Sequence, residues 1–175
     1  MKVLTYPVGD IDHLSGAEDA AVTLVEYGDF QCPYCGEMYR VIKEVQAEMG
    51  NQLRFVFRHF PLTNLHQHAM HAAQFAEAAA TFGKFWQAHD TLFEHQFELD
   101  DESLVRYATG LDVPVRDVSL AFEGKYDDII REDFNGGVKS GVSGTPTLFV
   151  NGRRYEGPPE AHTISAALRM AISHA

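Results

Sequence analysis

Cysteine is nearly absent from this sequence: only Cys32 and Cys35 occur, three positions apart. A bridge closing so short a loop would stabilise by less than the roughly 3 kcal/mol of a 15-residue loop. A chain of 175 residues buries enough apolar surface to fold without a staple, so the pair is chemical rather than structural. Positive charge is scarce too. Fourteen Lys and Arg face 25 Asp and Glu, a formal charge of -11, so nucleic acid is repelled rather than steered in. No window approaches the roughly 18 consecutive apolar residues of a membrane span. The opening MKVLTYPVGD lacks the apolar stretch of a secretory leader. The expectation is a cytoplasmic chain, or one whose leader has been removed. Internal repeats and linkers long enough to separate independent domains are also missing.

What is present is strongly patterned. Residues 8–20 are polar and broken by Gly9 and Gly16, and Val22–Tyr27 then reads as a buried strand. Met38, Val41, Ile42, Val45 and Met49 follow at the spacing of a helix with one buried face, stopped by Gly50-Asn51. Leu53, Phe55 and Phe57 alternate with Arg54, Val56 and Arg58 in a second strand, giving a right-handed βαβ unit with parallel strands. From about 65 to 140 the pattern is helical: an Ala-rich stretch at 66–82, a stretch with Phe85, Trp86 and Leu92, and a helix at 102–109 capped by Asp100-Asp101. Gly110 suits the position after that helix and Pro114 the first turn of the next. A helix around 125–139 runs into Gly136-Gly137. Thr147–Val150 and Arg153–Glu156 flank Asn151-Gly152, a strong hairpin signal. Ile164, Leu168 and Ile172 mark a closing helix.

Cys32-Pro33-Tyr34-Cys35 lies where the first strand hands over to its helix. Unpaired N–H groups and the positive end of the helix dipole stabilise an anion there, lowering a thiol pKa and raising its thiolate fraction. Pro33 fits the first turn, where its missing N–H loses no helical bond. These positions assign Cys32 as attacking nucleophile and Cys35 as the resolving thiol one turn further in. The rival chemistries are half of a zinc site and two ordinary small residues. Glu26 shares a strand face with Val22 and Leu24. Buried under the pair, it has a raised pKa and exchanges a proton with Cys35; reaching solvent at the strand end, it does neither. Asp29, if aimed at Cys32, would oppose the thiolate.

The segments VTLVEYGDFQCPYCG (22–36), Phe57–Leu62 (FRHFPL) and Gly141–Thr147 (GVSGTPT) closely resemble bacterial DsbA-like oxidoreductases of the thioredoxin superfamily. They are similar also to the thioredoxin-type domain fused behind some sodium/proton antiporters. The resemblance implies an α/β thioredoxin fold (βαβ…ββα) with a large all-helical insertion. Residues 1–64 and 141–175 would form the thioredoxin-like domain and 65–140 the inserted helical domain. It implies a cis-proline at Pro146 beside the disulfide, a Thr145 backbone that pairs with the bound substrate, and Glu26 as buried proton acceptor. Pro33 and Tyr34 complete the substrate-binding set. No cofactor is implied beyond the redox-active pair. The implied partners are protein or low-molecular-weight thiols and disulfides, plus a redox partner that recycles the pair. Many periplasmic members carry His where this chain has Tyr34, and a neutral phenol offers no imidazolium to the thiolate. The expectation is a less depressed Cys32 and a less oxidising couple. A glutathione-linked transferase or isomerase on the same fold, or a zinc module built on Cys32, Cys35 and histidines, is the alternative.

His66, His68 and His71 are the only dense histidine group, and His68 and His71 sit three apart on the expected helix. They read as caps or surface rings rather than metal ligands, since no carboxylate or Cys partner stands near them. His59 reads as packing, and the acidic run Glu98–Glu102 as helix capping rather than a calcium loop.

Overall fold

The computed structural model describes residues 2–174. Its strands are β1 (His13–Gly16), β2 (Val22–Gly28), β3 (Leu53–His59), β4 (Thr147–Val150) and β5 (Arg153–Arg154). Helix α1 (Pro33–Met49) joins β2 to β3; α2 (Ala69–Ala80), α3 (Phe85–Glu94), α4 (Asp101–Gly110), α5 (Val115–Phe122) and α6 (Asp127–Lys139) lie between β3 and β4; α7 (Ala161–Ser173) closes the chain. One sheet runs in the order β1-β3-β2-β4-β5. Its centre is the parallel β2–β3 pair of the βαβ unit, with β1 and β4 antiparallel to it.

All seven residues of β2 are buried, so the strand packs on both faces. Leu24 joins Phe55, Ile42, Val45, Ile164 and Leu168 under α1 and α7. Val25 and Tyr27 join Val56, Phe60 and Phe149 on the opposite face, where Leu4, Val8 and Phe134 cover them. Full burial of such a side chain contributes about 1.5–3 kcal/mol. The core under α1 continues without a break into the helical block, through Phe75, Ala76, Leu92 and Leu104. Among the described residues no helix is long and apolar enough to cross a membrane.

Several local expectations need correction. The polar stretch before residue 20 contains β1, an edge strand held by contacts no local pattern encodes: Trp86 Nε1 donates to Leu14 O (2.7 Å). Helix α2 starts at Ala69 rather than 66, because His66 closes a turn on Leu62 O and turns its ring to Asp29. Gly110 is the last residue of α4 rather than the residue after it; the left-handed position falls on Asp112, φ 55°. Pro114 caps α5 instead of opening its first turn. Helix α6 ends at Lys139, as the expected span to 139 has it, and its Gly136-Gly137 pair admits packing: a Cβ there would meet the rings of Tyr6 and Phe60 at 2.7 and 2.8 Å. The hairpin turn is as expected, with Asn151 and Gly152 at φ 44° and 77°, but β5 is only two residues long.

Candidate active site

Cys32 is the N-cap of α1, in extended conformation, with Pro33 in the first turn. Its N–H donates to Asp29 O and its carbonyl accepts from Gly36 N, both at 3.1 Å. A clamp comes from the loop after α3: Gln96 Nε2 donates to Phe30 O (2.9 Å) and Cys32 O (2.7 Å). Gly36 makes room for it, since a Cβ there would lie 2.4 Å from Gln96 Oε1. Sequence reasoning missed both residues; neither carries a local signal beyond the glycine itself.

The two sulfurs are free thiols, 4% and 0% exposed by residue. The Cys32 thiol is brought down from 9.0 to about 5: the Cys35 thiol stabilises its anion most, burial opposes, and the Thr145 side chain and the Cys35 and Tyr34 backbone assist. The causes that lower Cys32 include the Tyr34 backbone rather than its phenol, so the thiol is strongly depressed in a motif that holds no imidazole. Cys35 moves the other way. Burial pushes it well above 9.0, and Cys32 and Glu26 add to the effect. Its sulfur accepts the Asp29 N–H at 3.5 Å.

The Thr145–Pro146 peptide bond is cis, and Pro146 stands immediately before β4. In the thiol form Cys32 Sγ donates to Thr145 O at 3.5 Å, so that backbone carbonyl borders the Cys32 sulfur. Beside them opens a groove of about 470 Å3 lined by Tyr34, Met38, Val41, Pro146, Leu148 and Tyr155, among others. Tyr34 is 68% exposed at its rim.

Glu26 is 2% exposed, on the face of Leu24, and its Oε1 has no partner. Burial, with the Cys32 charge second, raises its carboxyl from 4.5 to about 8. Asp29 is buried as well but turns away from Cys32. Its carboxylate accepts from Gln31 N, Leu62 N and His66 Nδ1, each at 2.8 Å, and so ties the Cys32 loop to the segment after β3.

His66, His68 and His71 do not converge. His66 serves Asp29, His68 meets Gln67, and His71 bonds Asp101 at 2.5 Å and stacks on Phe122. Asp100 caps α4 through Ser103. Among the described residues the one cluster with metal-ligand proximity is His13, His59 and Glu77, whose donor atoms lie within 4.8 Å of one another; Cys32 and Cys35 are not in it. Both imidazole Nε2 atoms bond Glu77 Oε1, at 2.6 and 2.7 Å. These bonds hold the carboxyl down at about 2 against the cost of its burial, and Glu77 raises His59 although burial opposes. His59 is thus an ion-pair partner rather than simple packing.

The Thioredoxin_4 family model, described as Thioredoxin, matches residues 10–170. Among curated proteins the chain is similar to the Na(+)/H(+) antiporter NhaA 1 of Salinispora arenicola, 44% identical over 172 residues, covering 97% of this chain and 26% of that protein. It is also similar to NhaA 1 of Mycolicibacterium vanbaalenii, 40% identical over 96% of this chain and 28% of that one. The chain thus spans about a quarter of the length of the curated relatives it matches. In fold it resembles BdbD from Bacillus subtilis, with a TM-score of 0.85 at 20% identity over 93% of this chain and 94% of that one. It likewise resembles a thioredoxin-like oxidoreductase from Silicibacter pomeroyi, with a TM-score of 0.84 at 23% identity over 95% of each.

Proposed function

The chain belongs to the thioredoxin family, with the fold of its DsbA-like branch, and from that premise we propose that it exchanges disulfides through Cys32 and Cys35. What supports the reading most is the opposite displacement of two neighbouring thiols, Cys32 down to about 5 and Cys35 well above 9.0. Cys32, as thiolate at neutral pH, attacks a substrate disulfide, bonds one sulfur and expels the other as thiolate. Cys35 then attacks Cys32, releasing the bound sulfur and closing the intramolecular disulfide; its proton passes to the Glu26 carboxylate. Loss of the Cys32 charge on forming the adduct makes Glu26 more acidic, since that charge is one cause of its raised pKa. The base is therefore prepared when it is needed.

In this reading Thr145 O accepts a backbone N–H of an extended substrate, Pro146 shields the sulfurs, and Pro33, Tyr34 and the apolar groove receive its side chains. The substrates are protein or low-molecular-weight thiols and disulfides, and a separate redox partner restores the pair. The helical segment 65–140 acts as the inserted domain that covers Cys32's loop, with Gln96 bonded to Cys32 O and His66 to Asp29. The cytoplasm is the proposed compartment: both cysteines of the chain lie in the exchange site, so folding needs no oxidising surroundings. A Cys32 pKa of about 5 lies between those of strong oxidants and reductants of this fold, about 3.5 and 7. Equilibration against glutathione is accordingly expected to give a potential between about -120 and -270 mV.

Trapping tests the assignment. Cys35→Ser should accumulate Cys32 mixed disulfides with partner proteins that thiol treatment releases. A variant that forms no adducts, with Cys32 alkylating no faster at pH 7 than free cysteine, would overturn it.

A further inference from the structure

A small cavity of about 40 Å3 lies beside Glu26, lined also by His89, Ser15, Lys43, Gln46 and Tyr39, together with the rings of Phe55 and Trp86 and with Ile42. Two of its lining residues carry buried polar atoms with no hydrogen-bond partner, Glu26 Oε1 and His89 Nε2. A water needs roughly 10–15 Å3 of such space and two to four polar partners; the volume suffices, and Glu26, His89, Ser15, Gln46, Lys43 and Tyr39 are the polar residues of its wall. On its far side His89 Nδ1 meets Asp90 Oδ1 at 2.9 Å. A carboxylate only accepts, so Nδ1 carries the hydrogen and Nε2 keeps its lone pair. Asp90 in turn is bonded to Lys43 Nζ at 2.6 Å, both with partly exposed side chains. The chain of groups thus runs from the buried carboxyl to solvent.

We propose that His89 carries the proton of Glu26 to and from solvent, through water held in this cavity. The inference rests on the exchange reading of Cys32 and Cys35. When the Cys32 adduct forms, the Glu26 carboxyl gives its proton to the cavity water, which passes one to His89 Nε2. The imidazolium, held by Asp90, releases a proton to solvent from its Nδ1 side. Glu26, now ionised, takes the Cys35 proton as that sulfur attacks, and the reverse transfer resupplies the site when the disulfide is reduced. No electrons move in the relay, and one proton leaves for each one that enters. The charged and titratable groups facing His89 are Asp90 on its own helix, Lys43 and Tyr39 from α1, His59 from β3 and Glu26 from β2. Burial, Lys43 and His59 favour the neutral ring and Asp90 opposes them, with burial the largest influence. His89 is therefore a neutral acceptor at rest.

Reaction with 5,5′-dithiobis(2-nitrobenzoate) separates the half-steps: attack by Cys32 releases the first thionitrobenzoate, and resolution by Cys35 releases the second. His89→Phe should slow the second release about tenfold at pH 7 and leave the first within twofold, a modest share of what proton transfer can contribute. Glu26→Gln should slow the second release at least as much, and the double variant should be no slower than Glu26→Gln alone. A second release as fast as wild type in His89→Phe, or slowdowns that multiply in the double variant, overturns the relay. If His89→Phe does not fold, Asp90→Asn decides: about a threefold slower second release supports the relay, and an unchanged one defeats it. Wild-type protein that shows no second release would instead defeat the exchange reading itself.

Discussion

Glu26 shows how a single residue couples chemistry to stability. Its carboxyl sits at about 8 in the folded chain against 4.5 in an exposed one. Below about pH 4.5 it is protonated in both folded and unfolded chains. As pH rises from there the unfolded chain ionises while the folded chain does not, so stability falls with rising pH up to about 8. At about 1.4 kcal/mol per unit the window amounts to roughly 3–5 kcal/mol. Urea unfolding of the reduced protein should therefore show Glu26→Gln gaining on wild type by about 2–4 kcal/mol between pH 4.5 and 8; parallel pH profiles would contradict the buried, protonated carboxyl. Part of this was legible in the sequence, because strand alternation put Glu26 on the apolar face of Leu24. The orphaned Oε1 and the depth of burial were not, since they depend on α3, more than fifty residues away.

At the scale of elements, the N-terminus of α1 is set by two opposing local effects at Gly36. Glycine in a helix interior costs about 0.5–1 kcal/mol relative to alanine. Here it is kept because a Cβ would displace the Gln96 amide, 2.4 Å away, and break its bonds to Phe30 O and Cys32 O, each worth about 0.5–1.5 kcal/mol. Gly36→Ala alone should thus destabilise by about 0–2 kcal/mol. In a Gln96→Ala background the same change should reverse sign and stabilise by about 0.5–1 kcal/mol. Denaturant midpoints of the four proteins check this, and equal effects in the two backgrounds would exclude the clamp. The elements that local periodicity and turn chemistry specify strongly, β2, α1, β3 and the Asn151-Gly152 hairpin, were all readable. Edge strand β1 and the start of α2 at Ala69 were not, because both are decided by partners across the fold.

For the whole molecule, the N-terminal segment is bound to the sheet by a buried ion pair as well as by apolar contact. Arg58 Nε and one terminal nitrogen meet Asp12 Oδ1 and Oδ2 at 2.7 and 2.9 Å, and the guanidinium also donates to Tyr6 O, Pro7 O and Tyr27 Oη. Removing one partner of such a pair leaves an uncompensated buried charge. Asp12→Ala should therefore cost about 3–5 kcal/mol in urea unfolding, whereas a buried pair replaced as a unit by apolar residues is often neutral. A loss below about 1 kcal/mol would place Asp12 in solvent. The sequence by itself determined the βαβ frame, the helix N-terminus at Cys32 and the placement there of the two cysteines that the proposed exchange uses, because strand alternation, helical spacing and the dipole at a helix end act over a few residues. Only the tertiary structure decided which way Asp29 turns, that Gln96 grips the Cys32 loop, that His13, His59 and Glu77 form one buried cluster, and that Glu26 shares a cavity with His89. Those arrangements bring together side chains far apart in sequence, and their energies come from burial and pairing that no local pattern records.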